Sequence, residues 1–174
     1  MLILIVGPSG AGKDTLLNAA RVRLASDPGY RFVRRVITRA ADPDGEDHEP
    51  VTPEAFAARS FALQWTAHGL SYGIPLDIEP DLAAGRTVIA NTSRGVIRQA
   101  ADRYPTRVVL ITAPPAVLAR RLAQRGRETE ADIAGRLARD VALPDGVDTD
   151  VVMNDATPED GIARFLAALR RDRG

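Results

Sequence analysis

The residues best suited to chemistry lie near the start of the chain, in the segment LILIVGPSGAGKDTLL at positions 2–17. Gly7, Gly12 and Lys13 fall in register with the phosphate-loop pattern G-x-x-x-x-G-K. Glycines let such a loop turn its backbone N–H groups toward phosphate oxygens, and the following helix directs its positive N-terminal end at them. The segment therefore predicts a nucleoside triphosphate site made by Gly7, Pro8, Ser9, Gly10, Ala11, Gly12, Lys13, Asp14 and Thr15.

Lys13 is the only lysine in the chain, which carries 23 basic residues in all. A compact ammonium group fits beside the β- and γ-phosphates of a nucleotide, whereas the planar guanidinium of arginine suits wider phosphate clamps. The presence of the one lysine at the position that the loop pattern requires supports the phosphate site.

Asp14 places a carboxylate where this pattern usually has a hydroxyl. It is either an acid in the first turn of a helix, where the helix dipole favours it, or a group that approaches Mg²⁺ directly or through water. In both interpretations Thr15 supplies a hydroxyl one position later. We favour Thr15 near the phosphates and Asp14 beside a magnesium-bound water, so these two are the candidate metal residues.

An arginine-rich segment, LARRLAQRGRETEADIAGRLAR at positions 118–139, could supply further positive charge. Arg121 and Arg125 are four residues apart and would share one helical face, and Gly126 offers a hinge. Phosphoryl transfer needs positive charge over the moving group and closure against water, so we expect a lid over residues 125–139. The alternative is a solvated basic face that pairs with the acidic residues of the same segment.

Length and composition limit the classes of protein that the chain can form. Its 174 residues and 45% hydrophobic content predict one domain, and its 23 basic and 23 acidic residues give no reason to expect a nucleic-acid or membrane partner. The absence of cysteine excludes disulfides and thiolate metal sites. The apolar run at 2–6 is too short for a signal peptide and no stretch could span a bilayer, so we expect a cytoplasmic protein.

Apolar runs and turn residues predict alternating strands and helices. Strands are expected at 2–6, 31–38, 61–67, 86–91, 107–112 and 150–154, and helices at 13–25, 77–84, 95–103, 115–124, 130–141 and 158–171. This alternation predicts an α/β fold with a mainly parallel sheet and helices on both faces. We expect a single domain over 1–174, within which residues 38–75 form a small separate subdomain.

Together these motifs resemble the nucleoside monophosphate kinases, in particular the guanylate kinases, over nearly the whole chain. The resemblance rests on GPSGAGK at 7–13, TR at 38–39, GE at 45–46, HGLSYGIP at 68–75, RLAQRG at 121–126 and VVMND at 151–155. It implies a three-layer phosphate-loop kinase fold, ATP as the donor, and residues 38–75 as the acceptor-binding subdomain.

The same resemblance implies roles for individual residues. Arg39 and Tyr72 would bind the acceptor's phosphate, and Asn154 would lie near adenine. Arg125, Arg127 and Arg136 would bridge the phosphates of the two substrates. Arg121 is a candidate ATP-binding residue and Arg127 a candidate acceptor-binding residue. Lys13, Arg125 and Arg136 are the candidate catalytic residues, because they would hold charge on the transferring phosphate.

The positions at which guanylate kinases read guanine differ in this sequence. Leu63 stands where that group has a glutamate, and Ile74 where it has a threonine. Arg35 replaces a serine, and Ala90-Asn91-Thr92 replaces an acidic D-I-D motif. A site without these polar groups loses its hydrogen bonds to a base. The pattern therefore indicates a phosphorylated acceptor that carries no base.

The sequence is similar in these respects to the ribose 1,5-bisphosphate phosphokinases. The similar segments are GKDTLL at 12–17, RRVITR at 34–39, GEDHE at 45–49 and NTSR at 91–94. This resemblance implies transfer of the γ-phosphoryl group of ATP to the 1-phosphate of ribose 1,5-bisphosphate, which gives 5-phosphoribosyl 1-diphosphate.

The residues agree with that chemistry. The nucleophile would be an ionised phosphate oxygen, so positioning and charge neutralisation suffice and no strong general base is needed. Arg34, Arg35 and Arg94 are available for the second phosphate, and Glu46 or Asp47 could bind ribose hydroxyls, unless residues 42–49 are merely a solvated turn. The candidate substrate-binding residues are Arg35, Arg39, Glu46, Asp47, Tyr72, Ser93, Arg94 and Arg127.

Two other functions fit parts of the same pattern. One is a kinase for another small phosphorylated acceptor, including a nucleoside monophosphate. The other is a guanylate-kinase-like module that binds phosphorylated peptide without catalysis, against which Lys13 argues because a scaffold needs no γ-phosphate clamp. The sequence leaves the choice between monomer and homodimer open.

Overall fold

The computed structural model describes residues 1–41, 46–124 and 143–171. Its main sheet contains β1 (Leu2–Val6), β2 (Tyr30–Phe32), β7 (Thr87–Asn91), β8 (Thr106–Thr112) and β9 (Thr149–Met153). These strands are all parallel and lie in the order β2-β7-β1-β8-β9. The strand that precedes the phosphate loop is therefore the central strand of the sheet.

Helices connect these strands and follow the last of them. They are α1 (Lys13–Arg23), α2 (Pro53–Ala57), α3 (Glu79–Ala83), α4 (Ile97–Arg103), α5 (Pro115–Gln124) and α6 (Pro158–Arg170). Short 3-10 turns precede α3 at Leu76–Ile78 and α4 at Arg94–Val96. Among the described residues, no helix combines the length and the apolar character that crossing a membrane requires.

The central strand β1 is buried on both faces, which shows how the layers are arranged. Ile3 and Ile5 belong to a core cluster with Leu16 of α1 and Phe165 of α6. The alternate residues of β1 pack instead against the other side, in a cluster that contains Ile78 and α4. Because successive side chains of a strand point to opposite faces, the sheet is covered on both sides. The predicted α/β fold is thus confirmed.

A second, smaller sheet is built between residues 36 and 75. It contains β3 (Val36–Ile37), β4 (Glu49–Pro50), β5 (Phe61–Ala67) and β6 (Leu70–Pro75), in the order β4-β3-β6-β5. Strands β5 and β6 form an antiparallel hairpin around His68 and Gly69, whose φ angles are 52° and 74°. Strand β6 was not predicted, because histidine in the left-handed region is a weaker turn signal than Asn-Gly.

The prediction of one strand over 31–38 is wrong. Residues 30–32 pair with β7 in the main sheet, whereas Val36 and Ile37 pair with β6 and β4 in the second sheet. Between them the side chains of Arg34 and Arg35 bind the carboxylates of residues 46 and 47 instead of continuing the pattern of a strand. The predicted helix at 130–141 lies outside the described residues.

Candidate active site

Most of the candidate residues meet at the carboxyl edge of the main sheet. The phosphate loop follows β1, residues 92–94 follow β7, and Asn154 follows β9. Since the carboxyl ends of parallel strands lie at one edge of a sheet, these segments are neighbours in space. This edge is where open α/β sheets bind their ligands.

The phosphate loop has the backbone that its glycines predict. Gly10 and Gly12 have φ angles of 82° and 87°, in the left-handed region that favours glycine. A Cβ atom on Gly7 would lie 2.0 Å from the carbonyl oxygen of Ile111, so only glycine fits this close approach to β8. Helix α1 begins directly after Gly12, which directs its positive end toward the loop.

Lys13 lies across the loop that it follows. Its Nζ atom donates hydrogen bonds to the carbonyl oxygens of Gly7, at 2.7 Å, and Pro8, at 3.0 Å. The ammonium group is thus held beside the loop by backbone acceptors. A bound phosphate would exchange these partners for anionic oxygens, which bind an ammonium group more strongly.

Helix α5 packs against the loop and brings Arg121 to it. The Arg121 guanidinium donates to the carbonyl oxygen of Gly10 at 3.5 Å. A Cβ atom on Gly10 would lie 3.1 Å from the side chain of Leu122, so α5 and the loop are in close contact. This position is compatible with the predicted role of Arg121 in nucleotide binding.

Asp14 occupies the first turn of α1 and is exposed. Asn91, at the end of β7, donates from its side-chain amide to Asp14 Oδ1 at 3.5 Å. Thr15 is also exposed. Over residues 1–41, 46–124 and 143–171 there is no cluster of three or more His, Cys, Asp or Glu side chains that could hold a metal. Asp14 and Thr15 fit Mg²⁺ as oxygen donors, since this ion takes few protein ligands and completes its shell with phosphate oxygens and water.

A small cavity of about 30 Å³ lies between helix α1 and residues 46 and 47. It is lined by Asp14, Phe32, Glu46, Asp47 and Asn91, among others. The structure thereby brings together Asp14, predicted near the metal, and two residues predicted to bind the acceptor. The sequence indicated Asn91 only as part of a segment that replaces an acidic motif, and did not predict it as a site residue.

The segment 46–48 is fixed to the end of the loop between β2 and β3 by successive polar contacts. Arg34 Nε donates to Asp47 Oδ1 at 2.8 Å, and Arg35 binds both carboxylate oxygens of Glu46. His48 is buried and faces two carbonyl oxygens, that of Glu46 at 2.8 Å and that of Arg39 at 3.1 Å. The largely buried pair with Arg35 therefore holds Glu46 in place, whereas the pair of Arg34 with Asp47 is exposed to solvent.

An aromatic pair supports Arg35. Trp65 and Tyr72 are directly opposite each other on β5 and β6, and their rings stack with centroids 5.3 Å apart. The Arg35 guanidinium lies 5.2 Å from the Tyr72 ring and 5.8 Å from the Trp65 ring. Trp65 was not among the predicted site residues, since its position opposite Tyr72 depends on the unpredicted hairpin.

Arg39 differs from Arg34 and Arg35 in its partners. Within the described part of the chain, no carboxylate forms an ion pair with Arg39, and its buried Nε has no hydrogen-bond partner. Its nearest polar side-chain neighbour is His48, with Nη2 to Nδ1 at 3.4 Å. The charge of this guanidinium is thus not compensated by a described carboxylate, which suits it to an anionic ligand.

Ser93 and Arg94 follow β7 at the same edge. The Ser93 hydroxyl accepts a hydrogen bond from the N–H of Gly95 at 3.3 Å and so caps the 3-10 turn. Burial lowers the pKa of Arg94 from its ordinary value. An arginine stays charged at neutral pH in spite of such a change, so Arg94 is a partly desolvated cation.

Leu63 and Ile74, which replace guanine-reading residues, are neighbours across the hairpin and have no exposed surface. They belong to the apolar cluster that also contains Leu4 and Ile97. Their side chains serve packing between the second sheet and the main sheet. They offer no polar group to a base.

Asn154 lies beneath the phosphate loop. Its side chain is among the buried polar groups, and its Nδ2 atom donates to the carbonyl oxygen of Ala11 at 2.8 Å. The predicted contact with adenine stays a prediction. Arg125, Arg127, Arg136 and the predicted lid at 125–139 lie outside the described residues.

The amino-acid sequence is similar to a known protein family and to several curated proteins. The model of the AAA domain family matches residues 2–139. The ribose 1,5-bisphosphate phosphokinase PhnN of Acidiphilium cryptum is 56% identical over 172 residues, which cover 99% of this chain and 93% of that protein. The bifunctional ribose 1,5-bisphosphokinase-thymidine phosphorylase of Azorhizobium caulinodans is 48% identical over 97% of this chain, which spans 25% of that longer protein.

A solved structure shows the same fold. The guanylate kinase from Anaplasma phagocytophilum matches with a TM-score of 0.66 over 99% of this chain and 85% of that one. The two sequences are 17% identical, so this likeness concerns the fold alone.

Proposed function

The chain belongs to the ribose 1,5-bisphosphate phosphokinase family, and we propose that it transfers the γ-phosphoryl group of ATP to the 1-phosphate of ribose 1,5-bisphosphate. The products are 5-phosphoribosyl 1-diphosphate and ADP, and Mg²⁺ accompanies the nucleotide. The reaction belongs to phosphonate metabolism and takes place in the cytoplasm. The similarity of almost the whole chain to a relative of that name supports this assignment.

The residues on the acceptor side of the site support the proposal. The acceptor side of the site offers Arg39, which no described carboxylate neutralises and which lies beside His48, together with the carboxylates of Glu46 and Asp47 that Arg35 and Arg34 bind. The positions that would read a base are instead the buried Leu63 and Ile74. Arg39 and the two carboxylates are groups for a phosphate and for sugar hydroxyls, whereas Leu63 and Ile74 give guanine no hydrogen-bond partner.

On the donor side, the loop and Lys13 bind the triphosphate. Backbone N–H groups and the start of α1 supply the fixed positive dipoles. The Lys13 ammonium group neutralises negative charge on the β- and γ-oxygens. Asp14 and Thr15 would hold the metal, which supplies charge neutralisation when bound. Arg121 adds a cation at the loop.

On the acceptor side, Arg39 and Tyr72 bind the phosphate that is to be phosphorylated. Glu46 and Asp47, held by Arg35 and Arg34, accept hydrogen bonds from the ribose hydroxyls. Arg94, with Ser93 beside it, binds the phosphate at C5. The Glu46 carboxylate, in a largely buried pair with Arg35, is already oriented, so it loses little conformational freedom when the sugar binds.

The transfer step needs no strong base. An oxygen of the 1-phosphate, already ionised at neutral pH, forms the new bond to the γ-phosphorus as the bond to the β,γ-bridging oxygen breaks, and ADP leaves. The contribution of the protein is to align two anions and to neutralise their repulsion. Arg125, Arg127 and Arg136 would complete this neutralisation around the transferring group.

Phosphorus NMR of the protein with ATP, MgCl₂ and ribose 1,5-bisphosphate tests the proposal. We expect the resonances of ADP and of a new sugar diphosphate to appear together, and both to appear far more slowly with Lys13→Ala under the same conditions. Guanylate replaces the sugar in a parallel sample and should give little ADP. Comparable turnover of guanylate, or no diphosphate from the sugar, would refute the assignment.

A further inference from the structure

The side-chain amide of Asn154 is placed to control the shape of the phosphate loop. Asn154 has 7% of its surface exposed, and its Nδ2 atom donates to the Ala11 carbonyl oxygen at 2.8 Å. Its own backbone N–H donates to Thr112 at the end of β8, also at 2.8 Å. The residue thus connects the main sheet to the centre of the loop, 143 positions away in the sequence.

The Ala11 carbonyl and the Gly12 N–H belong to one planar peptide unit. In a trans peptide these two groups point in opposite directions. A hydrogen bond that holds the Ala11 oxygen toward the buried Asn154 therefore turns the Gly12 N–H away from the protein interior. That direction is the open side of the loop, where Lys13 is half-buried and Asp14 is exposed.

Two glycines make room for this contact. A Cβ atom on Gly12 would lie 2.6 Å from Asn154 Nδ2, and one on Gly161 in α6 would lie 2.3 Å from Asn154 Oδ1. Glycine at 161 is otherwise unfavourable, because glycine in a helix interior is less stable than alanine by about 1 kcal/mol. The side chain of Asn154 is thus confined between the loop and α6.

We propose that Asn154 is a positioning residue for the triphosphate: it fixes the Ala11–Gly12 peptide so that the Gly12 N–H faces the phosphates. This role rests on the proposed use of ATP but not on the identity of the acceptor. It differs from a contact with adenine, because it acts through the hydrogen bond that the amide donates to the loop backbone.

The two roles predict different effects on the binding of a ligand that has no base. Inorganic tripolyphosphate carries the phosphates of ATP and no adenine. If Asn154 shapes the loop, its loss weakens binding of tripolyphosphate and ATP by the same factor. If it reads adenine, its loss weakens binding of ATP alone.

Calorimetric titration of the full chain with each ligand distinguishes these outcomes. Asn154→Asp keeps the shape but replaces the donor with an oxygen and adds a negative charge. Gly161→Ala keeps Asn154, adds no charge and pushes its amide away, so it separates loss of the hydrogen bond from charge repulsion. We expect each variant to bind both ligands about tenfold more weakly, as for the loss of one hydrogen bond near charge. Asp155→Asn is the matched control, since Asp155 is exposed, neighbours Asn154 and pairs only with Arg164 among the described residues.

Steady-state kinetics give a second measure. Both variants should raise KM for ATP while KM for the acceptor stays within a factor of two, which a general loss of structure would not produce. If Asn154→Asp fails to fold, Gly161→Ala decides the question, and thermal melts establish which variants are folded. Wild-type affinity for tripolyphosphate in a folded Gly161→Ala or Asn154→Asp protein would overturn the proposal, whether or not ATP binding falls.

Discussion

The guanidinium of Arg35 binds the carboxylate of Glu46 through two donors, with Nε to Oε1 at 2.8 Å. Only 11% of the Arg35 side chain and 21% of the Glu46 side chain are exposed. Arg35 was predicted to bind a phosphate, but in this arrangement its charge is already compensated. The relationship suggests that Arg35 acts on the acceptor through Glu46.

This relationship predicts non-additive effects of mutation. Arg35→Ala and Glu46→Ala should each raise KM for the acceptor about tenfold, and the double variant should be little worse, because both changes remove the same oriented carboxylate. The pair Arg59 and Glu49 is the matched control, with exposures of 43% and 41%. We expect its removal to leave KM unchanged, as for exposed ion pairs in general. Additive effects of the Arg35 and Glu46 changes on KM would show that the two residues bind the acceptor independently.

Arg39 is expected to contribute more directly to the acceptor's affinity. No described carboxylate pairs with its guanidinium, so an acceptor phosphate gains a charge-assisted hydrogen bond there. Arg39→Gln should raise KM for the acceptor about tenfold or more, with a smaller change in kcat. Arg59→Gln provides a control on the same subdomain. An unchanged KM for the acceptor in Arg39→Gln would show that Arg39 does not bind the acceptor.

Lys13 should act mainly in the transition state. Its ammonium group faces oxygens whose charge changes during transfer, so Lys13→Ala should lower kcat and kcat/KM together by about 10²-fold or more. Single-turnover measurements with saturating ATP separate this effect from binding. A rise in KM for ATP at normal kcat would indicate that Lys13 only binds the nucleotide.

The Asp14 carboxylate lies in the first turn of α1, near the place where several phosphate charges would bind. Without a cation between them, each close pair of like charges would cost up to about 4 kcal/mol near a protein surface. Asp14→Asn should therefore raise the Mg²⁺ concentration for half-maximal rate, while binding of metal-free ATP stays the same or tightens. Thr15→Val should lower the rate without that change. Superimposable magnesium titrations of Asp14→Asn and the wild type would show that Asp14 has no metal role and is only an acid in the first turn of α1.

The stability of the fold at low pH should depend on Asp81. A hydrogen bond from Arg31 lowers the pKa of the Asp81 carboxyl, with a further lowering by Arg86 and an opposing effect of burial. A lowered pKa in the folded state adds stability above the ordinary value of about 4, and this stability is lost as the pH falls through the folded pKa.

Asp81→Asn should consequently reduce the free energy of unfolding by about 2 kcal/mol at pH 7 and by much less near pH 2. Urea unfolding at both pH values measures the difference, with the exposed Asp102→Asn as the control. An effect of Asp81→Asn that is independent of pH would exclude the ion pairs with Arg31 and Arg86 as its cause.

The sequence alone was sufficient to predict the strand, the phosphate loop and the helix that begin the chain. The loop from Gly7 to Gly12, the strand before it and the helix after it are defined by residues that are close together in the chain, because glycine spacing and apolar runs act locally. The alternation of strands and helices likewise predicted the parallel sheet. Family resemblance then indicated the acceptor from Leu63 and Ile74.

Tertiary structure decided how the remaining candidates are used. The hairpin that places Trp65 opposite Tyr72 depends on a left-handed His68, and the division of residues 30–37 between two sheets depends on pairing with distant strands. Which arginine is neutralised also could not be read from the chain, since Arg34, Arg35 and Arg39 are alike as sequence. Asn154 reaches Ala11 only because β9 and β1 end at the same edge of the sheet. Local patterns determine elements, whereas contacts between distant residues are set by how those elements pack.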